Sequence, residues 1–369
     1  MHGKRYSGTF LRYRRNCVIM LTNMKTCKSC LIVDRVEGVV IGKDGACNYC
    51  SGQKHFGVME DPAFRDAYDK KDVFYTELLD ILKNSKGRDY DALVALSGGK
   101  DSTWLLKFVK EHSGGRVLAV TVDNGFESGI ALSNIERVKK ALGIDHLFIE
   151  EYTGVLLKAY RYLLTHNKDR NTVDILCRIC TIVWQSALLK TAVKYGIPNV
   201  YIGYSPDQIE YYFFRITEKR LKENWFPREF FPEDMFSEEE KKLFWLGESE
   251  GGRPAVYFPF HVVPSYKSSR IRAEIAKAGL LPKGRSSQTL TNCRLNWLMM
   301  YRDYRNLGYN AHLPSFSHKI RRGIESRAEW NMSLFLAKIF IGNALFPRKL
   351  MKDALKKLGL DFSDLVKKR

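Results

Sequence analysis

Three groups of residues in this 369-residue chain have the types and spacing to do chemistry. The first is Ser97-Gly98-Gly99-Lys100-Asp101-Ser102, which follows the apolar stretch Asp91 to Leu96 and runs into Trp104, Leu105, Leu106, Phe108 and Val109. A buried strand that ends in paired glycines and continues as an apolar-periodic helix makes a phosphate cradle. The glycines let backbone N–H groups approach phosphate oxygens, and the helix N-terminus adds the positive end of its dipole. Lys100 supplies a point charge, Ser97 and Ser102 supply hydroxyls, and Asp101 supplies a carboxylate for a magnesium ion. The spacer between the first Gly and the Lys is too short for a Walker loop. An ordinary Gly-rich turn is the plain alternative, and the complete hexapeptide in this setting argues against it.

The second group is Cys27-x-x-Cys30, sixteen residues, then Cys47-x-x-Cys50. Two knuckles of this spacing place four thiolates around zinc in a closed structural site, with reduced structural cysteines as the plain alternative. Asp44-Gly45 suits a tight turn feeding the second knuckle. A segment this short cannot fold on burial alone, so the metal would supply its stability. The third group is Cys177-Arg-Ile-Cys180 with the distant Cys293. At i and i+3 on a helix the first two thiols share a face, and Cys293 could complete a three-cysteine [4Fe–4S] site with one open iron position. A pair of buried apolar cysteines stands beside that reading.

The elements that must position these groups show in the periodicity. Residues 60–90 predict a linking helix. From residue 91 strands and helices alternate: strands at 91–96, 116–122, 145–149 and 199–203, and helices near 130–142, 153–166 and 178–195. This βαβ rhythm predicts a parallel sheet with helices on both faces, whose ligand site lies at the carboxyl ends of the strands. The polar turns Ser97 to Ser102, Asp123 to Gly125 and Gly203 to Asp207 should converge there, with Asp123 and Gly203 bordering a nucleoside. Residues 210–260 break the rhythm with many aromatics (Tyr211, Tyr212, Phe213, Phe214, Trp225, Phe226, Phe230, Phe231) followed by acidic residues. An aromatic core over the sheet edge is favoured there over a substrate-binding insertion. Residues 265–311 read as helical and 325–369 as a basic helical tail. The expected divisions are an extension (1–23), a zinc module (24–58), a nucleotide domain (59–260) and a helical C-terminal region (261–369).

The length allows about two domains. Apolar content of 45% and charged content of 27% are ordinary, whereas the net charge of +19 suits polyanionic company (nucleic acid, an anionic membrane surface, or nucleotides and nucleotide sugars), with a solvated basic surface standing equally beside it. No apolar run reaches the ~20 residues of a membrane helix; Trp330 to Phe346 comes nearest and is interrupted by Lys338 and Asn343. Val18 to Leu21 is too short for a signal peptide, which points to the cytoplasm, and Met20 or Met24 could be the true start. In a reducing compartment the eight cysteines imply metal rather than disulfides.

The hexapeptide resembles the PP-loop of N-type ATP pyrophosphatases, which split ATP into AMP and pyrophosphate. Together with Cys27-x-x-Cys30-Leu31, Asp44-Gly45-x-Cys47-Asn48-Tyr49-Cys50, Val122-Asp123-Asn124-Gly125-Phe126 and Thr291-Asn292-Cys293, it resembles the N-acetyl sugar amidotransferases of bacterial surface-polysaccharide biosynthesis, the type that makes acetamidino sugars. The likeness spans roughly residues 25–310 and leaves out the arginine-rich first twenty. It implies an α/β fold: a parallel-sheet PP-loop domain (adenine nucleotide alpha-hydrolase-like) with an N-terminal zinc module and a helical C-terminal region. It implies ATP, Mg²⁺ and Zn²⁺, and a reaction in which the acetamido oxygen of a nucleotide-linked sugar is adenylated and then displaced by ammonia, for O-antigen, lipopolysaccharide or a related glycan. Ser97, Gly98, Gly99 and Ser102 would hold the β,γ-phosphates, Lys100 would neutralise developing charge, and Asp101 would bind magnesium. The chain shows no glutaminase nucleophile, so a separate glutaminase subunit is expected to supply ammonia.

Sulfur-inserting tRNA thiolases resemble the chain as well, through a PP-loop, an N-terminal zinc module and three cysteines. They adenylate a base carbonyl and install sulfur, and the charge of +19 suits an RNA substrate. No second zinc module toward the C-terminus accompanies the pattern, and Asp-Gly-x-Cys-Asn-Tyr-Cys looks more like the sugar enzymes. A non-enzymatic zinc-ribbon adaptor with a dead nucleotide site fits poorly with an intact hexapeptide.

Overall fold

The computed structural model describes residues 24–52, 62–205, 213–247, 252–264, 266–282, 284–285, 293–323 and 325–367. The expected extension 1–23, the end of the zinc module (53–58), Pro206 and Asp207 beyond Gly203, Tyr211 and Tyr212, and Thr291 and Asn292 lie outside them.

The described elements run α1 (Pro62–Asp69), α2 (Lys71–Asn84), β1 (Ala92–Ala95), α3 (Lys100–His112), β2 (Val117–Val122), α4 (Gly129–Leu142), β3 (Asp145–Ile149), α5 (Thr153–His166), a π turn (Val173–Cys177), α6 (Arg178–Lys194), β4 (Asn199–Tyr201), α7 (Glu218–Lys222), α8 (Glu238–Lys242), β5 (Ala255–Tyr257), α9 (Ser268–Lys277), α10 (Leu295–Asn306), α11 (Leu313–Arg321), α12 (Arg327–Phe340) and α13 (Arg348–Leu358). Five strands form one sheet in the order β3-β2-β1-β4-β5. Every pairing is parallel, with Leu93 beside Leu118 on one side and beside Val200 on the other. β5 joins the edge from within the segment where the rhythm breaks. Three residues are too few to show a strand period in the sequence.

Alternation along the central strands splits the core in two. Leu93, Leu118 and Val120 face α5, α6, α10 and α13, whereas Ala92, Val94, Val117 and Ala119 face α2, α3, α4 and α9. Both clusters draw on residues beyond 260 (Ile271 and Ile275 on one face, Leu298 and Met299 on the other), so the core runs without a break past that position. The aromatic segment packs inward, as its aromatic content suggested: Trp225, Phe230, Phe231, Phe236 and Phe244 are buried, and Phe226 meets Phe244 edge-on at 5.0 Å.

The run Val173–Lys194 is long and apolar enough to cross a membrane, with a mean hydropathy of 1.3, so the sequence expectation that no such run exists is corrected. In the fold 61% of its apolar window is buried, and it lies as a core helix between the sheet and α5. Its start is held by a fully buried pair. Arg302 donates to the carbonyls of Leu164 in the last turn of α5 and of Asn167 and Arg170 beyond it, and Asp303 accepts from the Thr172 amide at 2.9 Å and the Thr172 hydroxyl at 2.8 Å.

Candidate active site

The carboxyl end of β1 is where the chain reverses direction across the sheet: β2 and β3 lie to one side and β4 and β5 to the other. In open parallel sheets such a switch point leaves a crevice for ligands. A cavity of about 300 Å³ opens there, lined by Ser97, Gly99, Lys100, Asp101 and Ser102 after β1, Asn124 and Glu127 after β2, Gly203 and Tyr204 after β4, and Cys180 and Cys293. Each of the three expected turns thus contributes at least one described residue to the lining.

The loop is tightly built. Gly98 takes φ +70°, and a Cβ there would lie 2.3 Å from the Ala131 carbonyl oxygen on α4. Only glycine permits both the left-handed backbone and the close approach. Asn134 donates from its side chain to the Gly98 carbonyl at 2.8 Å and to the Arg285 carbonyl at 3.0 Å, tying the loop to two other segments. Ser97 and Ser102 share a hydroxyl contact of 3.0 Å, and the Ser102 hydroxyl donates to the Gly99 carbonyl at 3.2 Å. Gly203 also needs its small size, since a Cβ would sit 3.2 Å from the Ser102 backbone. Lys100, only 4% exposed, pairs with Asp101 at 2.5 Å, and Tyr266 donates to the other Asp101 oxygen at 2.9 Å. The cavity floor therefore carries a cation, a carboxylate and hydroxyls at the first turn of α3. These are hard oxygen donors that suit magnesium, and the buried cation suits phosphate.

Asp123 departs from expectation. Its carboxylate accepts from the Gly125 amide at 2.9 Å and from the Thr153 hydroxyl at 3.1 Å, which holds the turn and keeps it out of the cavity lining. Asn124 takes the lining position instead. Glu127, which the sequence reading passed over, is the added feature. Burial, and then the nearby Asp123 carboxylate, push it up to about 7. No hydrogen bond or ion pair holds it among the described residues, so it lines the cavity as an uncommitted carboxylate, near enough to Cys180 and Cys293 to disfavour their ionisation. Only its place just after the β2 turn marks it in the sequence.

Cys177, Cys180 and Cys293 gather at one side. Cys180 and Cys293 line the cavity, half-buried, and the Cys293 thiol points to the Asn124 side-chain oxygen at 3.9 Å. Cys177 ends the π turn, keeps open surface and does not line the cavity, so the paired buried-thiol alternative does not describe it. Burial pushes the Cys180 thiol up to about 12, which keeps it protonated at neutral pH.

The N-terminal cysteines form a separate centre. Sγ atoms of Cys27, Cys30, Cys47 and Cys50 lie within 4.8 Å of one another, with Cys27–Cys50 at 3.7 Å and Cys30–Cys47 at 3.6 Å. Tetrahedral zinc with bonds of about 2.3 Å needs sulfur–sulfur edges of about 3.8 Å, so the donor set fits that ion. Burial opposes ionising Cys27, but amides of the knuckles outweigh it and bring the thiol down to about 6. Arg321 on α11 donates to the Cys30 sulfur at 3.2 Å and lies 5.1 Å over the Tyr49 ring, which partly offsets the charge of four thiolates.

No protein-family model matches the chain. An uncharacterized protein of Methanocaldococcus jannaschii is 36% identical over 93 residues, covering 25% of this chain and 32% of its own. The chain thus spans about a third of that relative. Among solved structures, the NH3-dependent NAD synthetase of Campylobacter jejuni superimposes with a TM-score of 0.35 at 14% identity, over 76% of this chain and 96% of its own. The U34-tRNA thiolase of Methanococcus maripaludis, solved with its [4Fe–4S] cluster, gives 0.34 at 14% identity, over 83% and 88%. The NMN synthetase of Francisella tularensis gives 0.36 at 13% identity, over 80% and 97%. Likeness of that extent assigns neither a family nor an activity to this chain.

Proposed function

We propose that the chain is an ATP pyrophosphatase that activates a carbonyl oxygen as its adenylate, and that this carbonyl is the acetamido group of a nucleotide-linked N-acetyl sugar. The observation that carries the proposal is the cavity itself, where Ser97, Gly99, Lys100, Asp101 and Ser102 meet Gly203 at the switch point and an uncommitted carboxylate, Glu127, joins the lining from the segment after β2.

The acetamido oxygen attacks the α-phosphorus of ATP, and pyrophosphate leaves with the electron pair of the broken P–O bond. Backbone amides and hydroxyls of residues 97–102 receive the departing phosphates, and Lys100 stabilises the charge that develops on them. Asp101 would hold magnesium, which neutralises phosphate charge when bound. The O-adenylated imidate then takes ammonia at carbon. Glu127 accepts the proton released from nitrogen as that C–N bond forms, and AMP departs to leave the acetamidine. A separate glutaminase subunit supplies the ammonia.

The second reading, tRNA thiolation, is favoured by one observation: Cys180 and Cys293 line the same cavity, where they would receive an adenylated base as a sulfur-handling or [4Fe–4S] centre together with Cys177. Pyrophosphate release from ATP, with ammonium chloride present and either a di-N-acetylated UDP-sugar or bulk tRNA added, decides between them. Release triggered by the sugar supports the amidotransferase; release triggered only by tRNA overturns it. Turnover by the single chain with glutamine in place of ammonium would remove the need for a separate glutaminase.

A further inference from the structure

Most apolar side chains of this fold are buried; those of α12 are not. No residue of that helix is buried, and Met332, Phe335, Leu336, Ile339 and Phe340 are 60, 59, 44, 38 and 46% exposed. The turn that follows adds Leu345 at 52% and Phe346 at 65%. Positions 332, 335, 336 and 339 repeat at helical spacing, so they make one stripe on one face. The opposite side anchors the helix: Leu334 packs against the Val33, Tyr309 and Leu313 cluster, and Ala337 against the main core. The stripe thus points outward by construction, and a continuous exposed apolar patch of this kind marks an interaction surface.

Its surroundings identify the partner's chemistry. From Lys319 to the C-terminus the chain carries thirteen Lys and Arg against five Asp and Glu. Arg327, Arg348, Lys349 and Lys352 are exposed, and no ion pair engages them among the described residues. A second copy of the chain would set one cationic rim against another. A protein partner's interface is typically depleted in lysine. A nucleic acid would use the cations and leave seven apolar side chains in water. Only an anionic lipid leaflet takes both parts at once: apolar side chains enter the acyl boundary while Lys and Arg meet the headgroups. At about 1.5 Å per residue, the fourteen residues of α12 are too short to span the ~30 Å hydrocarbon core, so the helix would lie in the interface plane.

We propose that α12 and the turn after it, with the cations of α13, form a docking surface for an anionic membrane. The inference stands apart from the catalytic reading, since none of these residues lines the cavity. Flotation of the full chain tests it, using phosphatidylcholine vesicles with or without about a third phosphatidylglycerol, at low salt and at about 1 M salt. Binding is expected to the anionic vesicles alone. It should fall about tenfold or more in Lys349→Glu/Lys352→Glu and in Phe335→Ser/Phe340→Ser/Phe346→Ser. Both variants should keep the wild-type thermal midpoint, because every substituted side chain is exposed. Equal binding to neutral vesicles would overturn the electrostatic half of the proposal. A protein that stays off both vesicles overturns all of it: as a dimer it would show a second copy on the stripe, and as a monomer a stripe covered by the chain's own residues.

Discussion

Lys100 is 4% exposed, yet its only charged partner among the described residues is the neighbouring Asp101. A buried cation pointed into a cavity at a helix N-terminus favours an anion that can replace or join that carboxylate. Lys100→Ala should therefore lower sugar-triggered pyrophosphate release by about 10²–10³-fold, the scale on which a single transition-state charge contact acts. Equal release in the variant would remove the lysine from the reaction. Glu127 gives a pH prediction. Its ionisation moves from 4.5 up to about 7 because burial and Asp123 disfavour the charge. As a base it is competent only above that value, so the rate should rise through pH 7 in the wild type and lose that limb in Glu127→Gln. Stability runs the other way. Between 4.5 and 7 the folded state holds a proton that the unfolded state has released, so this group's contribution is complete below 4.5 and is lost as pH climbs to 7. Urea midpoints at pH 5 and pH 8 should show that decline in the wild type and a smaller one in Glu127→Gln. The hexapeptide was legible because its residue types are needed in that order. Glu127 and Asn134 were not, because a single Glu in a turn or Asn in a helix acquires meaning only from what folds opposite it.

Elements come together here through a few buried polar joints. Arg302 and Asp303 are both fully buried, one capping the end of α5 and the other receiving the start of the π turn that carries Cys177. Arg302→Leu strands a buried carboxylate and should destabilise the fold by about 3–5 kcal/mol, with Arg302→Leu/Asp303→Leu recovering a large part; denaturation of both variants measures it. Gly98→Ala is a second test at this scale. It forces a left-handed non-glycine backbone and a Cβ into the Ala131 carbonyl, so nucleotide binding should fail even where the sheet survives. Helix and strand periods located β1 to β4 to within a residue or two, since buried runs and amphipathic faces impose their own spacing. β5 and the π turn left no such trace, being three and five residues long.

At the scale of the whole molecule, the four-cysteine module and the C-terminal helices form one unit. Arg35 donates to the Leu307 carbonyl at 3.1 Å, Val33 packs against Tyr309 and Leu313, and Arg321 reaches the Cys30 sulfur. Metal analysis should find zinc at one equivalent per chain. Chelation, or Cys47→Ser, should open residues 307–321 to proteolysis along with the module itself. An untouched 307–321 after zinc loss would show that the contact does not depend on the metal. The sequence by itself determined the local chemistry: a glycine-rich strand–helix turn bearing Lys100 and Asp101, four thiols at knuckle spacing, and a parallel α/β order, each set by neighbours within a few residues and so written in spacing. Tertiary structure decided what those parts face. It turned Asp123 into a turn-holding residue, brought Asn124, Glu127, Cys180 and Cys293 around the hexapeptide, and left the α12 stripe uncovered. These outcomes depend on which distant elements pack together, and pairing across hundreds of residues leaves no period in one sequence to read.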